Sequence, residues 1–253
     1  MASTAAQVQA AVRSEDIPAL VSLLSCSSEA FQMQAASALQ ALAGASTENK
    51  IKIAAADAVA PLVSLLTSSC VGVQAQAVHV LWRLAWNHQI RIAHAGAIPP
   101  LVRLLSSSSP SVQEGAAGTL ANLAWRIPDN RPRIAGAGAV VPLVHLASSG
   151  HPSVQKEAAA ALRNLALRQK EIAMSIKEAG GISTFIAMLS TGAEDVQATA
   201  LGALRNMAVI DVAGQSTFEE AGAFPPLVSL LSSCSQEVQK YAALALIILG
   251  WEL

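Results

Sequence analysis

Apolar residues recur along this chain at two staggered positions. Leu20, Leu62, Leu101, Leu143, Phe185 and Leu227 form one series. Leu39, Leu81, Leu120, Leu162, Leu204 and Leu246 form a second, each 19 residues after its partner. Within each series the step is 42 residues, except for one step of 39. Around Leu162 the apolar set Val154, Ala158, Ala159, Leu162, Leu165 and Ala166 keeps the i, i+3, i+4, i+7 spacing of a single buried helix face. A unit of this size cannot bury such a face alone, so each must stack on the next. The pattern predicts an all-helical array of about six units in one domain, 1–45, 46–87, 88–126, 127–168, 169–210 and 211–253.

Each unit reads as one short helix and two longer ones. In the fourth, 130–135 gives the short helix, and Gly138 sits where the chain must turn. Gly96, Gly180 and Gly222 share that slot, as a left-handed helix terminus favours. Asp57 replaces glycine there, and Asp visits that conformation more readily than most residues. Pro142 opens the second helix, where its missing N–H does no harm, and Pro18, Pro61, Pro100 and Pro226 match it. A polar turn over 148–153 leads into the third helix. The three-residue deficit is expected to shorten the connection around 86–91 and leave the helices intact.

The segments AGAIPPLVRLLSSSSPSVQEGAAGTLANLAW (95–125) and AGAVVPLVHLASSGHPSVQKEAAAALRNLAL (137–167) resemble armadillo repeats. Turn Gly, helix-opening Pro, Val-Gln start and Leu-x-Asn-Leu-Ala ending recur together. The resemblance covers essentially the whole chain, on the plain pattern of beta-catenin-like and plant armadillo proteins. It implies a right-handed α-solenoid, the armadillo superhelix, whose third helices line a concave groove. It also implies that an Asn of the third helix bonds the backbone of an extended peptide. That Asn corresponds to Asn122, Asn164 and Asn206, whereas the slot holds Ala41, Arg83 and Ile248 in the other units. A nuclear transport adaptor resembling importin-alpha would place Trp four residues earlier, where this chain has Ser37, His79, Gly118, Ala160, Gly202 and Leu244. The recognition part of a ubiquitin ligase is the other alternative, although no U-box segment is present.

At 100° per residue, the face opposite the core carries His79, Arg83 and Trp86 in the second unit and Asn122, Trp125 and Arg126 in the third. Asn164 and Arg168 follow in the fourth, and Asn206 in the fifth. These nine are the candidate peptide-binding residues. An Asn amide donates and accepts, so it pairs with a peptide unit of any sequence. Gly115, Gly118, Ala160 and Gly202 on the same face are expected to leave room for ligand side chains. Along the third helices and their ends, Arg83, Arg126, Lys156, Arg163, Arg168, Arg205 and Lys240 outnumber Glu114 and Glu157. Arg forks suit carboxylates and phosphates, so the expected ligand is an acidic or phosphorylated segment of another protein. Trp86 and Trp125 are its aromatic anchors. The structural alternatives are that the Asn residues bond neighbouring helix ends, the Trp residues cover the core between units, and the Arg residues form a solvated face.

Composition narrows the rest. The formal net charge is −1, so no global field draws nucleic acid or an anionic membrane. Cys26, Cys70 and Cys234 are too sparse for a disulfide framework. They fit a reducing compartment, the cytoplasm or also the nucleus. No run of about 18 apolar residues suggests membrane insertion, and 1–16 lack the apolar stretch of a signal peptide. His79, His88, His94, His145 and His151 form no zinc pattern. Gly136-Ala-Gly138 lacks the rest of a dinucleotide fingerprint, and Ser106–Ser109 reads as a turn. No metal, cofactor or catalysis is expected. The ends differ: Gln7, Gln9 and Arg13 suggest a polar cap, whereas Leu244, Ile247, Ile248 and Trp251 suggest continuation or self-association at the last unit.

Overall fold

The short apolar faces set out above are too brief to hold helices in isolation, so stacking must hold them. The computed structural model describes residues 2–190, 193–210 and 215–250; Trp251 and the side chain of Gln7 lie outside what is described. Among the described residues there are only helices, and they fall into six triplets. The first three triplets are α1 (Ala2–Ser14), α2 (Ile17–Leu23), α3 (Glu29–Ala45); α4 (Thr47–Ala55), α5 (Val59–Leu65), α6 (Val71–Ala85); and α7 (Gln89–His94), α8 (Ile98–Leu104), α9 (Pro110–Ala124). Then come α10 (Asn130–Gly136), α11 (Val140–Ala147), α12 (Pro152–Ala166); α13 (Lys170–Glu178), α14 (Gly181–Leu189), α15 (Glu194–Ile210); and α16 (Gln215–Glu220), α17 (Phe224–Leu230), α18 (Gln236–Ile248).

The chain forms two compact units, Met1–Asn130 and Arg131–Leu253. In the first, α3 packs on α6 and α6 on α9. In the second, α12 packs on α15 and α15 on α18. All twelve residues of the two apolar series are at most 2% exposed. Leu→Ala at an interior one such as Leu81, whose helix packs on both α3 and α9, would remove about 2–5 kcal/mol of packing.

Two recurrent devices shape the joints. Gly96, Gly138, Gly180 and Gly222 take φ between 73° and 84°, and Asp57 joins them at 59°. The second device explains the Val-Gln signature. Gln32, Gln74, Gln113, Gln155 and Gln239 each donate their side-chain amide to the carbonyl six residues earlier, in the turn before the third helix. In the same turns Ser68, Ser107 and Ser233 accept through Oγ from the N–H two residues on, at 3.2 Å. The serine-rich segments are therefore stapled turns.

Two expectations shift. Pro142 is the third residue of α11, not its first, but the first four N–H groups of a helix lack partners anyway. The deficit also falls inside a helix: α7 has 6 residues where α4 and α13 have 9, and the link before α7 is as short as that before α13.

Candidate functional site

The third helices α6 and α9 meet in the first compact unit through a large residue set over a small one. A Cβ on Gly118 would lie 2.3 Å from Trp82 Cε2, so the indole rests directly on the backbone of α9. A Cβ on Gly115 would lie 2.6 Å from Val78 Cγ1. In the second unit the Arg163 stem does the same over Gly202, at 2.8 Å. The expectation that these glycines give a ligand room is thus corrected. Their space is filled by the preceding third helix.

The asparagine slot is tied to this contact. Asn122 Nδ2 donates to the Trp82 carbonyl at 3.2 Å, and Asn206 Nδ2 donates to the Arg163 carbonyl at 3.0 Å. Trp82 and Arg163 are each the fourth residue from the end of their helix, α6 and α12, counting the last, where carbonyls lack partners in their own helix. Each amide closes an open carbonyl of the neighbouring third helix. Asn122 is half-buried, while Asn164 and Asn206 are 6% and 8% exposed, so the stripe predicted to face solvent is largely sealed in the fourth and fifth repeats. In the fifth repeat Arg163 packs closely on Gly202, one turn before Asn206, and closes the slot. Asn206 Oδ1 also accepts from Arg205 Nη2 at 3.1 Å.

Four candidates gather in one place. His79, Arg83, Trp86 and Asn122 line a cleft of about 290 Å³ together with Lys50 and Trp82. Trp86 is 57% exposed. His79 leans on Trp82 with ring centroids 5.8 Å apart, and its Nε2 lies 3.0 Å from Ser111 Oγ. Burial holds the His79 imidazole below its usual value, with Arg83 adding to the effect and Glu114 opposing it. Trp125 is half-buried, and Arg126 Cζ sits 5.7 Å from its ring centroid. Arg126 and Arg168 both occupy the left-handed region, with φ of 61° and 57°, just beyond α9 and α12. Both are exposed.

The basic excess expected from the sequence is smaller than the count of arginines and lysines. Lys156 Nζ pairs with Asp195 Oδ2 at 2.9 Å, and that bond holds the Asp195 carboxyl below its usual value. Arg205 lies over Tyr241, its Cζ 5.9 Å from the ring centroid. Arg163 is folded against Gly202. Asp195 and Glu237 at the starts of third helices escaped the tally of charges. Of the arginines in that count, Arg83 and Arg126 in the first compact unit and Arg168 in the second are exposed.

Sequence reasoning missed Trp82 and Lys50. Trp82 was legible as the bulky residue one place before the slot, paired with a glycine four places before the slot in the next unit. Lys50 had no signal, because it belongs to the first helix α4 and reaches the cleft only through the fold.

Among the described residues no group of His, Cys, Asp or Glu is placed to hold a metal. Nor is any single helix long and apolar enough to cross a membrane.

A family model, Armadillo/beta-catenin-like repeat, matches residues 46–86, 88–125, 128–167 and 170–209. No curated protein matches the chain. Among solved structures it is similar to the designed armadillo repeat protein YIII(Dq)4CqI, at 33% identity and TM-score 0.86, covering 92% of this chain and 99% of that one. An engineered protein is similar at 35% identity and TM-score 0.87, covering 93% and 96%. A third, the designed armadillo repeat protein YIII(Dq.V1)4CPAF, was solved in complex with the peptide (KR)4; it shares 32% identity at TM-score 0.83, covering 92% and 99%.

Proposed function

Because the chain belongs to the armadillo/beta-catenin-like repeat family, we propose that it is a protein-binding array that takes an extended segment of another protein along its third helices. The cleft carries this reading. It brings His79, Arg83, Trp86 and Asn122 to one place beside Lys50 and Trp82. Asn122 spends one N–H on the Trp82 carbonyl. Its second N–H and its Oδ1 remain to pair with one carbonyl and one N–H of a peptide backbone. A designed relative holds the peptide (KR)4, which supports an extended peptide as the class of ligand.

The charge of the ligand is proposed to be the opposite of that peptide's. In the first compact unit a basic segment would meet Arg83 and Arg126, whereas an acidic or phosphorylated one would find guanidinium forks in two successive repeats; in the second unit Arg168 has the same preference. The location that fits this role and the sparse thiols is the cytoplasm, with the nucleus second. Catalysis has no place in the proposal.

Selection of displayed random peptides on the immobilised chain tests it. Acidic sequences should be enriched. Binding should fall roughly tenfold or more in an Arg83→Ala/Arg126→Ala/Arg168→Ala variant whose unfolding midpoint is unchanged. Enrichment of basic sequences, or equal binding by the variant, would remove the acidic-ligand reading.

A further inference from the structure

The cleft in the first compact unit has a composition that narrows what enters it, and this inference rests on the peptide-binding reading above. Its lining contains two cations, two indoles, one imidazole and one carboxamide, and no carboxylate. Among the described residues neither Lys50 nor Arg83 forms an ion pair, and Glu48, close to Lys50 in sequence, is committed to Lys52 at 2.7 Å. Glu114 acts on His79 electrostatically but does not line the cleft. The cleft is therefore positive, although the whole chain carries a net charge of −1.

The walls are aromatic as well as charged. Trp82 packs its Cε2, Nε1 and Cζ2 atoms on Gly118, and the His79 ring lies tilted beside it. Trp82 stays half-buried, so it has surface left toward the cleft. Trp86 lies four residues on, at the C-terminal cap of α6, and is 57% exposed. An aspartate, glutamate or phosphoserine would reach the cations but leave both indoles wet. An uncharged aromatic side chain would cover the indoles but leave Lys50 and Arg83 unanswered.

We propose that this cleft is an anchoring pocket for a phosphotyrosine in the bound segment, its ring against Trp82 and Trp86 and its phosphate between Lys50 and Arg83. A phosphotyrosine supplies a flat apolar ring and about −1.5 to −2 charges at its far end. Ring and indole favour offset or edge-to-face contact. The Arg83 fork meets two phosphate oxygens at once, while Lys50 acts as a point charge. Asn122 on the opposite helix pairs with the backbone of the same residue, so phosphate reading and backbone reading converge on one ligand residue.

Calorimetric titration of the full chain with acetyl-Ala-Ala-phosphotyrosine-Ala-Ala-amide, beside the same peptide with tyrosine, phosphoserine or glutamate, tests this. The phosphotyrosine peptide should bind roughly tenfold tighter than any of the others. Arg83→Ala and Trp86→Ala should each abolish that preference, with unfolding midpoints unchanged because both side chains are exposed. A phosphoserine peptide that binds as well would overturn the pocket, since the ring would then contribute nothing. A glutamate peptide that binds best would also overturn it while leaving the acidic-segment reading intact. Absence of binding by all four would overturn it too, and the library selection then judges the broader proposal separately.

Discussion

Asn122 donates its side-chain amide to the Trp82 carbonyl of the neighbouring third helix, at 3.2 Å. Asn206 repeats the bond on Arg163 in the second compact unit. The residue that the family resemblance assigns to peptide binding is thus also the clasp between repeats. At Asn122, which lines the cleft, the two roles do not compete, because one amide N–H serves the neighbour and one donor and one acceptor remain; at Asn206 the Oδ1 is taken by Arg205.

Removing the clasp should therefore cost folding as well as binding. Asn122→Ala is expected to lower stability by about 1 kcal/mol and to weaken a bound peptide by roughly 1–3 kcal/mol. Urea unfolding and calorimetry on the same preparation measure both. A variant with full stability and lost binding would show the clasp to be idle.

Gly118 should not tolerate even a methyl group. Its Cβ would sit 2.3 Å from the Trp82 ring, so Gly118→Ala must displace the indole, at about 1–3 kcal/mol. The displaced indole should shift the intrinsic tryptophan emission of the folded protein. Unchanged stability and emission would mean that the ring does not lie on the α9 backbone.

Arg168 separates binding from folding in the other direction. It holds φ of 57°, a conformation that glycine adopts without strain and other residues do not. Arg168→Gly should keep or raise the thermal midpoint, a change within about 1 kcal/mol, yet weaken an acidic peptide. If binding survives, the side chain is a solvated charge and leaves the proposed row.

Acid should destabilise the first compact unit through His79. Burial lowers its folded value below the unfolded one, which is about 6.5. The half-buried neutral ring is at no disadvantage above that pH. Below it the unfolded chain takes up the proton first, so stability falls as pH drops toward the folded value. His88, lowered by burial and by Arg91, acts in the same sense. Urea midpoints at pH 7.5 and 5.5 should differ, and the difference should shrink in His79→Gln. An equal difference in that variant would assign the effect elsewhere.

The repeat, the helix triplets and the turn residues were readable from the chain because each rests on local spacing. Leu162 announces its own burial by its neighbours, and Gly138 its left-handed turn by its place between two helices. The state of the groove was not readable in the same way. A helical wheel puts Gly118 and Asn206 on the face away from the core of their own repeat, but it cannot say how near the next helix comes, and both are buried. Trp82 and Arg163 decide that, by filling the space over the following glycine. Charge suffered similarly: Lys156 looks basic until Asp195, one repeat later, is laid beside it. Lys50 lies nearly thirty residues before His79 and joins it only once α4 has packed on α6.

A crystal structure of the chain with its best selected peptide tests the central claim most directly. The account predicts an extended peptide whose backbone N–H lies within hydrogen-bond distance of Asn122 Oδ1, with an acidic or phosphorylated side chain between Lys50 and Arg83. A peptide seated away from α6 and α9, with that cleft filled only by solvent, would contradict it.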